Sequence, residues 1–435
     1  MNSYKVYGER LMEKYDAIIV GGGIFGLASA YHIKRENPEH KVLLLEWRGA
    51  AGQGNTAKSA GCFRAFFHSK TNLKMANSSI EFYKHIQEVE KFNLGIRWIG
   101  YLWLFDEEQF HYLEPYLKDM ESLGIEYKIV SDEEIREKIN PNMRASESGI
   151  SGLRNIEVGL LVKKAGKMDV EKLVEYYESK FKSMGGKVAY GIKVDKIIVE
   201  AEEELGLPGE PYFWQRARAT GVEAGGRRIE AKKIVVAAGV WADRLLHPLG
   251  IDTYQRAKKR QVFVVKAEGP LEKLLYTKGF NAEGCLPFTI LPQPRIYIKP
   301  DIDEGNFWIG YADDFLRPIA IEDDPQPEEN FYRYGIHPIL STYLPQFEQA
   351  KLVNSWAGQY GVNTYDGQPV VFQEGGIIVA SADSGSGIMK GDAIGRIVAA
   401  IYNERKEAKL FDGEVFNVED IGIEKRRVER EKFVI

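Results

Sequence analysis

The sequence predicts an α/β fold in which the strands of a nucleotide-binding sheet alternate along the chain with sheet-rich segments of a second domain. An apolar strand, a glycine-rich turn and a helix follow one another within residues 15–34. Segments of the same strand–glycine–helix type recur at residues 165–246 and 375–401. Aromatic, proline-punctuated stretches with alternating strands lie between them, at residues 90–155 and 255–350.

The first unit has a pattern that can hold a phosphate. Asp16 to Val20 is a short apolar run, as expected for a strand buried on both faces of a parallel sheet. Three glycines spaced G-x-G-x-x-G then open a helix that is predicted to run to about Arg35. Because a glycine turn lets the backbone approach a ligand and a helix N-terminus presents free N–H groups, this turn predicts an anion site. The three glycines are Gly21, Gly23 and Gly26.

A second apolar strand, Lys41 to Leu45, ends in the acidic residue Glu46. Dinucleotide-binding folds use an acid at this point to bind the ribose hydroxyls. A G-x-G-x-x-G pattern alone is also explained by a tight turn with close helix–strand packing. The order of strand, glycines, helix, strand and terminal acid within about 30 residues predicts a dinucleotide-binding unit.

The recurrence of these segments favours FAD over NAD, since a simple NAD dehydrogenase usually completes its nucleotide domain in one block. The segment 165–246 closes with an apolar strand that runs into Ala238, Gly239 and Trp241. The segment 375–401 would aim a second helix N-terminus at the same ligand. We therefore expect a Rossmann-type FAD-binding domain interleaved with a sheet-rich substrate-binding domain. The expected boundaries are residues 1–90, 155–250 and 351–435 for the FAD-binding domain, and residues 91–154 and 251–350 for the substrate-binding domain.

Composition narrows the class of protein and its partners. Fifty-eight basic and 63 acidic residues give a formal net charge of −5, which argues against nucleic acid as a partner. Cys62 and Cys285 are too far apart for a C-x-x-C pair and predict a reducing compartment without disulfides. The seven histidines show no H-x-H or H-E-x-x-H spacing, so no metal site is expected. No run approaches the ~20 apolar residues of a membrane helix, so we expect a cytoplasmic protein, with peripheral membrane attachment left open.

Five further stretches, in order along nearly the whole chain, resemble one family of flavoenzymes. They are NTAKSAGCFRAFF after Glu46, NLKMANSSIEFYKHI in the next helix, VVAAGVWADRL, SWAGQYGVNTYDGQPVV and SGSGIMKGDAIGRIVA. The sequence resembles the FAD-dependent amino acid oxidases and dehydrogenases of the D-amino-acid oxidase, glycine oxidase and sarcosine oxidase group. Within that group it is most similar to dye-linked L-proline dehydrogenases and to sarcosine and dimethylglycine dehydrogenases. The WAGxYxxNTxD block also resembles a mitochondrial FAD-dependent protein tied to respiratory-complex assembly.

The resemblance implies a set of contacts to FAD. The first glycine turn would hold the pyrophosphate, Glu46 the adenosine ribose, and the backbone of Val194 the adenine edge. A loop would run beneath the isoalloxazine, and a second glycine-rich turn would lie beside its pyrimidine ring, where a helix dipole favours the anionic reduced flavin. In chain order, the expected cofactor contacts are Gly21, Gly23, Ile24, Phe25, Gly26, Glu46, Lys58, Ser59, Ala60, Cys62, Val194, Ala238, Gly239, Trp241, Gly385, Ser386, Gly387, Ile388, Met389 and Lys390.

Two departures from the family pattern predict that the flavin is held without a covalent bond. Some relatives tether FAD through a histidine in the block that matches residues 56–61, where this chain has Lys58. Others use a cysteine near the Asn-Thr pair of the C-terminal block, where this chain has Gln359.

A third departure concerns the substrate carboxylate. Glycine oxidase and its kin place an arginine after WAG-x to hold that group, and here the position is Tyr360. Sarcosine oxidases have a lysine directly after SGHG-F, where this chain has Met389 followed by Lys390. The resemblance therefore does not supply the carboxylate partner.

The chemistry itself indicates which side chains to look for. Oxidising an amine or imino acid removes a hydride from the carbon next to nitrogen and delivers it to flavin N5, so the protein mainly desolvates and orients the substrate. A guanidinium or ammonium with a tyrosine hydroxyl makes a natural carboxylate clamp. Period-two alternation places Arg295, Tyr297 and Lys299 on one strand face. The candidates are Arg64, Tyr297, Lys299 and Tyr360; the strand face with Lys299 could instead be a solvated sheet face, and Arg64 could instead pair with an acid.

The resemblance favours an FAD-dependent dehydrogenase or oxidase that acts on the C–N bond of a secondary amino acid such as L-proline or sarcosine. Two alternatives stay open: a flavoenzyme for a 2-hydroxy acid or a primary amino acid, and an assembly or subunit protein that keeps FAD with little catalysis. The expected partners are a small amino acid substrate and an electron acceptor (a quinone, an electron-transfer protein or dioxygen), and a homo-oligomer stays open. The charge-rich tail at residues 424–435 is predicted to be a solvated helix end, with an electron-transfer or subunit contact as the alternative.

Overall fold

The computed structural model describes residues 14–433. Within that range the α-helices are α1 (Ile24–Glu36), α2 (Lys70–Glu88), α3 (Glu107–Ser122), α4 (Asp132–Lys138), α5 (Val170–Ser183), α6 (Ala242–Leu246), α7 (Pro270–Leu275), α8 (His337–Tyr343) and α9 (Gly391–Tyr402). Single 3₁₀ turns occupy Ala145–Glu147, Gly239–Trp241, His247–Leu249, Pro345–Phe347, Ile388–Lys390 and Val418–Ile421, and a π-helical turn precedes α8 at Phe331–Ile336.

The strands of the same range form two large sheets and two small ribbons. They are β1 (Tyr15–Val20), β2 (Val42–Glu46), β3 (Cys62–Arg64), β4 (Tyr101–Phe105), β5 (Tyr127–Val130), β6 (Val158–Val162), β7 (Ala165–Lys167), β8 (Lys187–Tyr190), β9 (Val194–Ala201), β10 (Ala217–Ala224), β11 (Arg227–Val236), β12 (Gln255–Lys266), β13 (Phe288–Ile290), β14 (Tyr297–Asp301), β15 (Asn306–Gly310), β16 (Leu352–Asn363), β17 (Val370–Glu374), β18 (Ile377–Ser381), β19 (Glu407–Lys409) and β20 (Val415–Asn417).

The first sheet has the strand order β17-β18-β11-β1-β2-β8, with β10 and β9 extending from β11. Strands β18, β11, β1, β2 and β8 are parallel to their neighbours in that row, and β17 is antiparallel to β18. Both faces of β1 are covered, which explains its continuous apolar sequence. Ala17 and Ile19 pack in the core that holds α1 and α9, whereas Ile18 and Val20 pack in a separate core with β9, β10 and α6.

The second sheet has the order β16-β12-β15-β14-β13-β4-β6-β5. Its strands are antiparallel except for the β4–β13 pair, which is parallel. Alternate residues of β4 again enter different cores: Leu102 and Leu104 pack with α4, α7 and α8, whereas Tyr101 and Trp103 pack towards the first sheet and α2. The latter face is the one that lines the site.

The structure confirms the predicted α/β architecture. The strand, glycine turn and helix of the first unit lie where the sequence predicts them, and α1 ends at Glu36. The recurrent segments supply β8 to β11 and β18, all of which join β1 in one sheet. The domain boundaries stay a prediction, because strand pairing does not define them; β6 and β16, at the edges of predicted FAD-binding segments, pair in the second sheet.

Two local expectations are wrong. Residues 424–433 of the charged tail form no helix, and Glu431 and Phe433 are buried, because the charges of this stretch have found tertiary partners. Arg295 does not share a strand with Tyr297, since β14 begins only at Tyr297 and Arg295 lies in the turn before it. Cys62 and Cys285 are buried free thiols. Among residues 14–433, no helix combines the length and the apolarity needed to cross a bilayer.

Candidate functional site

A cavity of about 410 Å³ lies where the carboxyl ends of the first sheet's strands meet the face of the second sheet. Its wall is built from the turn after β1, the end of β2, the loop over residues 54–62, the turn after β11, and the side chains of β4, β12, β13, β14 and β16. The ends of parallel strands are the usual ligand position of such sheets, because the chain reverses there and helix N-termini converge.

The turn after β1 presents bare backbone to this cavity. Gly21 has φ +106°, and a Cβ there would lie 2.5 Å from the carbonyl oxygen of Ala237, so only glycine fits. Gly23 precedes α1 with no side-chain cap, and the hydroxyl of Thr56 accepts a hydrogen bond from the N–H of Ile24 at 3.2 Å. The N-terminus of α1 therefore faces the cavity with only small groups between.

Gly26 differs from the other two glycines of the motif, because it does not line the cavity. A Cβ at this position would lie 1.9 Å from the carbonyl oxygen of Gly21. Its role in the structure is therefore close packing of α1 on the turn, and a direct contact to the cofactor stays a prediction.

Backbone donors hold Glu46 in place at the end of β2. The side chain is 5% exposed, and its carboxylate accepts hydrogen bonds from the N–H of Gly22 at 2.6 Å and the N–H of Arg48 at 2.8 Å. Trp47 and Trp241 line the same part of the wall, with ring centroids 5.5 Å apart. The acid and the two indoles form a pocket of the kind that a nucleoside requires.

The second glycine-rich turn is conformationally strained. Ala382 and Ser384 have φ of 58° and 49°, in the left-handed region that non-glycine residues seldom adopt. Gly385, with φ +80°, packs so closely on Tyr360 that a Cβ would lie 2.2 Å from the ring. Such strain persists only where surrounding structure enforces it, and here it brings the turn before α9 to the cavity.

Buried charges lie behind this turn. Lys390 does not line the cavity; its ammonium donates to Asn72 Oδ1 at 3.1 Å, and burial lowers its pKa to about 8. Burial also raises the pKa of the carboxyl of Asp383, which lines the cavity, although the Lys390 charge opposes that shift.

The second sheet contributes a wall of stacked aromatic rings. Phe288 lies between Tyr101, at a centroid distance of 4.2 Å, and Tyr297, at 5.3 Å, with all three rings nearly parallel. Burial raises the pKa of Tyr101 and of Tyr297, and also that of Tyr360 across the cavity. These phenols are therefore neutral hydrogen-bond donors at physiological pH.

Arg64 is a buried cation on the cavity wall. Its guanidinium packs over Phe67 and Trp103, 4.8 and 5.1 Å from the ring centroids. Nη2 donates to the carbonyl oxygen of Phe433 at 2.5 Å, whereas Nη1 has no hydrogen-bond partner among residues 14–433. Burial lowers its pKa, but a guanidinium has the reserve to stay charged.

Lys299 follows Tyr297 by two residues on β14, so alternation places both on one strand face, but only Tyr297 lines the cavity. The Lys299 ammonium instead lies 3.4 Å from the ring centroid of Trp308, and burial lowers its pKa. This cation–π contact with Trp308, on the neighbouring strand β15, stabilises the buried charge of the ammonium.

Several lining residues were not singled out by the sequence. Arg260 lines the cavity, with its guanidinium carbon 5.3 Å from the Tyr360 ring centroid. Its sequence context, KKRQ, is typical of a solvent-exposed charged run. Tyr101 and Phe288 lie in apolar strands typical of a core. For Arg260 the sequence did contain a signal: in a strand, Arg260 lies on the same face as the apolar Val262, which is buried.

The arrangement fits a flavin dinucleotide: a helix N-terminus preceded by glycine backbone, an acid held by backbone N–H groups, and a second glycine-rich turn on the same cavity wall. Of the sequence-predicted residues, the structure places the following on the cavity wall: Gly21, Gly23, Ile24, Phe25, Glu46, Lys58, Ser59, Ala60, Cys62, Arg64, Val194, Ala238, Gly239, Trp241, Tyr297, Tyr360, Gly385, Ser386, Gly387, Ile388 and Met389. Their individual roles stay predictions. Across the described part of the chain, no three His, Cys, Asp or Glu side chains gather as a metal-ligand set.

The known proteins that resemble this chain include an FAD-dependent oxidoreductase domain-containing protein, in agreement with a flavin site. FAD-dependent oxidoreductase domain-containing protein 1 of Xenopus laevis is 25% identical to the chain over 429 residues, covering 91% of this chain and 80% of that protein. The peroxisomal sarcosine oxidase of Homo sapiens is 26% identical over 239 residues, covering 55% of this chain and 54% of the enzyme. The crystal structure of L-proline dehydrogenase from P. horikoshii superposes with a TM-score of 0.73 at 20% identity, covering 91% of this chain and 94% of that one, which shows a shared fold.

The DAO family, described as FAD dependent oxidoreductase, matches residues 16–401. That match includes the glycine turn, Glu46, the aromatic wall and the second turn. The chain therefore belongs to the DAO family, as an FAD-dependent oxidoreductase of the amino acid oxidase type with FAD as its cofactor.

Proposed function

We propose that the protein oxidises the C–N bond of a secondary amino acid, L-proline or sarcosine-like, with FAD bound without a covalent link. The observation that carries this proposal is the buried Arg64 guanidinium, whose Nη1 has no partner among the described residues at the wall of an aromatic-lined cavity. Bound FAD supplies the hydride acceptor for the carbon next to nitrogen. The residues of the chain bind, orient and desolvate the substrate.

Arg64 is the proposed carboxylate clamp. Within residues 14–433, its one hydrogen-bonded nitrogen donates to a neutral backbone carbonyl, and no acid of that range forms an ion pair with its guanidinium. A buried unpaired N–H costs free energy, and a substrate carboxylate would satisfy it with a charge-assisted bond of roughly 1.5–3 kcal/mol. Lys299 is not part of this proposal, because its ammonium is held over Trp308 away from the cavity wall.

The aromatic stack supports an amino acid with an apolar, methylene-rich body. Tyr101, Phe288 and Tyr297 line the cavity as a stack of aromatic rings, and such a largely apolar wall excludes water around the reacting carbon. Tyr297 and Tyr360, neutral because burial raises their pKa, can donate to a carboxylate without adding charge. The likeness to a sarcosine oxidase supports the same class of substrate.

A screen of the reductive half-reaction tests the proposal. The purified holoprotein is mixed anaerobically in a stopped-flow cell with L-proline, sarcosine, glycine, D-alanine and D-lactate, and flavin absorbance is followed. We expect L-proline or sarcosine to bleach the flavin fastest. Bleaching by D-lactate alone would assign a 2-hydroxy acid, bleaching by glycine or D-alanine alone a primary amino acid, and no bleaching by any of them would favour an assembly protein that keeps FAD for stability.

A further inference from the structure

Residues 426–433, here called the strap, cross from the first sheet to the candidate site. The strap contains no helix or strand, but hydrogen bonds and an ion pair hold it against the rest of the fold. The guanidinium of Arg426 pairs with both carboxylate oxygens of Asp366, Nη2 to Oδ1 at 2.7 Å and Nε to Oδ2 at 2.5 Å. Glu431 N donates to the Asp366 carbonyl at 2.7 Å, and the Gln368 side chain donates to the Glu429 carbonyl at 2.5 Å.

Glu431 is the buried anchor of the strap. Its carboxylate accepts from the N–H groups of His68 at 3.0 Å and Ser69 at 3.1 Å, from the Ser69 hydroxyl at 2.9 Å and from Asn72 Nδ2 at 3.1 Å. Phe433 N donates to the same carboxylate at 2.9 Å. Burial alone would raise its pKa, but these donors lower it below the ordinary value. The carboxylate also faces the N-terminus of α2, where a negative charge is favourable.

From this anchor the strap reaches two buried cations, Arg64 on the cavity wall and Lys390 behind it. The carbonyl oxygen of Phe433 accepts from Arg64 Nη2 at 2.5 Å, and the Phe433 ring stacks on Phe66 with centroids 5.0 Å apart. Asn72, which donates to Glu431, accepts from the Lys390 ammonium with its other side-chain atom at 3.1 Å.

The arrangement orients Arg64 without neutralising it. A carboxylate in direct contact with the guanidinium would compete with a substrate anion for the same donors. The strap instead presents a backbone carbonyl to Arg64. The carboxylate of Glu431 accepts hydrogen bonds at the start of α2, from the N–H groups of His68 and Ser69. Of the guanidinium nitrogens, Nη2 is fixed by the bond to the Phe433 carbonyl, and Nη1 is left without a partner in residues 14–433.

We propose that Glu431 is a positioning residue for substrate binding: through the strap it holds the Phe433 carbonyl that orients Arg64 towards the substrate carboxylate. The proposal rests on the proposed role of Arg64 as the carboxylate clamp. No role of this kind follows from the sequence, in which Glu431 is one acid within a charged run.

Binding of an unreactive carboxylate tests the proposal without turnover. L-Tetrahydro-2-furoate, a ring-oxygen counterpart of L-proline, is titrated into holoprotein and its Kd is read from the flavin difference spectrum. Glu431→Gln places an amide donor among the donors that now point at the carboxylate, so we expect Kd to rise about tenfold with flavin content unchanged. The control, Glu429→Gln, makes the same charge change at an exposed residue of the strap and should leave Kd within about twofold.

A double-mutant cycle with Arg64→Met separates positioning from general loosening of the fold. If Glu431 acts through Arg64, Glu431→Gln should add nothing to the Kd of the Arg64→Met protein. Should Glu431→Gln fail to fold, Phe433→Leu, which keeps the carbonyl and removes the ring stack on Phe66, enters the same cycle with a smaller expected rise of about threefold.

The outcomes distinguish this proposal from the proposed function. If Arg64→Met weakens tetrahydrofuroate binding and the strap variants do not, or if their effects add in the cycle, the positioning role is overturned and the clamp stands. If L-proline and sarcosine fail to bleach the flavin while tetrahydrofuroate binding depends on both Arg64 and Glu431, the substrate assignment fails and the positioning role of Glu431 stands. If Arg64→Met leaves tetrahydrofuroate binding unchanged, the clamp role of Arg64 and the positioning role of Glu431 are both overturned.

Discussion

Gly385 and Tyr360 are in such close contact that the glycine hydrogen occupies the only space left beside the ring: a Cβ would lie 2.2 Å from Tyr360 Cε2. The pair joins two features that the sequence shows separately, a glycine-rich turn and a tyrosine at the position where glycine oxidases carry an arginine. Because the Tyr360 ring fills this space, residue 385 must be a glycine.

Gly385→Ala should therefore destabilise the protein by about 3 kcal/mol, since it adds left-handed strain and an overlap with the ring. Urea unfolding and flavin content measure the effect. Gly152→Ala is the matched control: its φ is +85° but nothing lies within 4 Å of the added Cβ, so it should cost only about 1 kcal/mol. Equal losses of unfolding free energy in the two variants would show that the Tyr360 ring moves aside at little cost.

Gly23→Val should abolish flavin binding. Gly23 lines the cavity at the N-terminus of α1, and a branched side chain there would fill the space of the pyrophosphate. Absorbance at the flavin band relative to protein absorbance gives the occupancy. Gly49→Val, in a nearby loop with only the Gln53 side chain 3.8 Å from the added Cβ, should keep full flavin. A yellow Gly23→Val protein would mean that this turn does not hold the phosphates.

The flavin should leave the protein on acid precipitation. Lys58 and Gln359 occupy the two positions where relatives carry tethering residues, and neither side chain forms such a bond. Cys62, which also lines the cavity, has its thiol pKa raised by burial and so is a poor nucleophile. All yellow colour is expected in the supernatant after trichloroacetic acid. Flavin fluorescence that migrates with the denatured band would contradict this, and its loss in Cys62→Ser would identify the tether.

Arg64→Met should raise the KM for L-proline about tenfold, a loss on the order of 1.4 kcal/mol, with a much smaller change in kcat. The reason is that a carboxylate clamp contributes equally to the ground state and the transition state. Lys299→Met is the comparison variant: its side chain lies over Trp308 off the cavity wall, so KM should stay within about twofold. The reverse ranking in steady-state kinetics would move the clamp to Lys299.

Stability should fall as pH is lowered from 7 to 5, in part because of His32. This fully buried residue contacts Asp392 Oδ1 at 2.6 Å, and burial lowers its pKa to about 4. Since the unfolded value is about 6.5, the unfolded chain takes up the proton first as pH falls, and stability present above pH ~6.5 is lost towards pH ~4. Between pH 7 and pH 5 this amounts to about 2 kcal/mol.

Urea unfolding of wild type and His32→Gln at both pH values checks the assignment. The variant lacks the titrating group, so its stability should change less over the interval than that of wild type. His111→Gln, at an exposed histidine, should keep the wild-type slope. An unchanged slope in His32→Gln would show that His32 is not the group responsible.

The sequence was most informative where one structural feature is encoded by neighbouring residues. The glycines at 21 and 23 and the acid at 46 could be placed because strand, turn and helix periods are local properties. The aromatic wall could not, since Tyr101 and Phe288 meet only through the parallel register of β4 and β13, far apart along the chain. Their apolar strands look the same as strands of an ordinary core.

The structure of the charged tail at residues 424–433 could not be predicted, for a related physical reason. Charge runs usually indicate solvent exposure, and nothing near Glu431 in the sequence signals the amides of His68 and Ser69 that bury it. Lys299 was misplaced because alternation tells which residues share a face of a strand but not what covers that face along its length. In both cases the missing information is a tertiary partner.

The strand order of the first sheet has a consequence for biosynthesis. Strand β11 carries β1 on one edge and β18 on the other, with Val235 paired to Ile378. While the ribosome is still making the strands of the second sheet that separate β11 from β18 along the chain, the edge of β11 that later pairs with β18 has unpaired backbone N–H and C=O groups, which can recruit other chains. Such remote pairing also slows folding. We expect recombinant yield to depend on chaperone supply, and fragments that stop before β18 to precipitate.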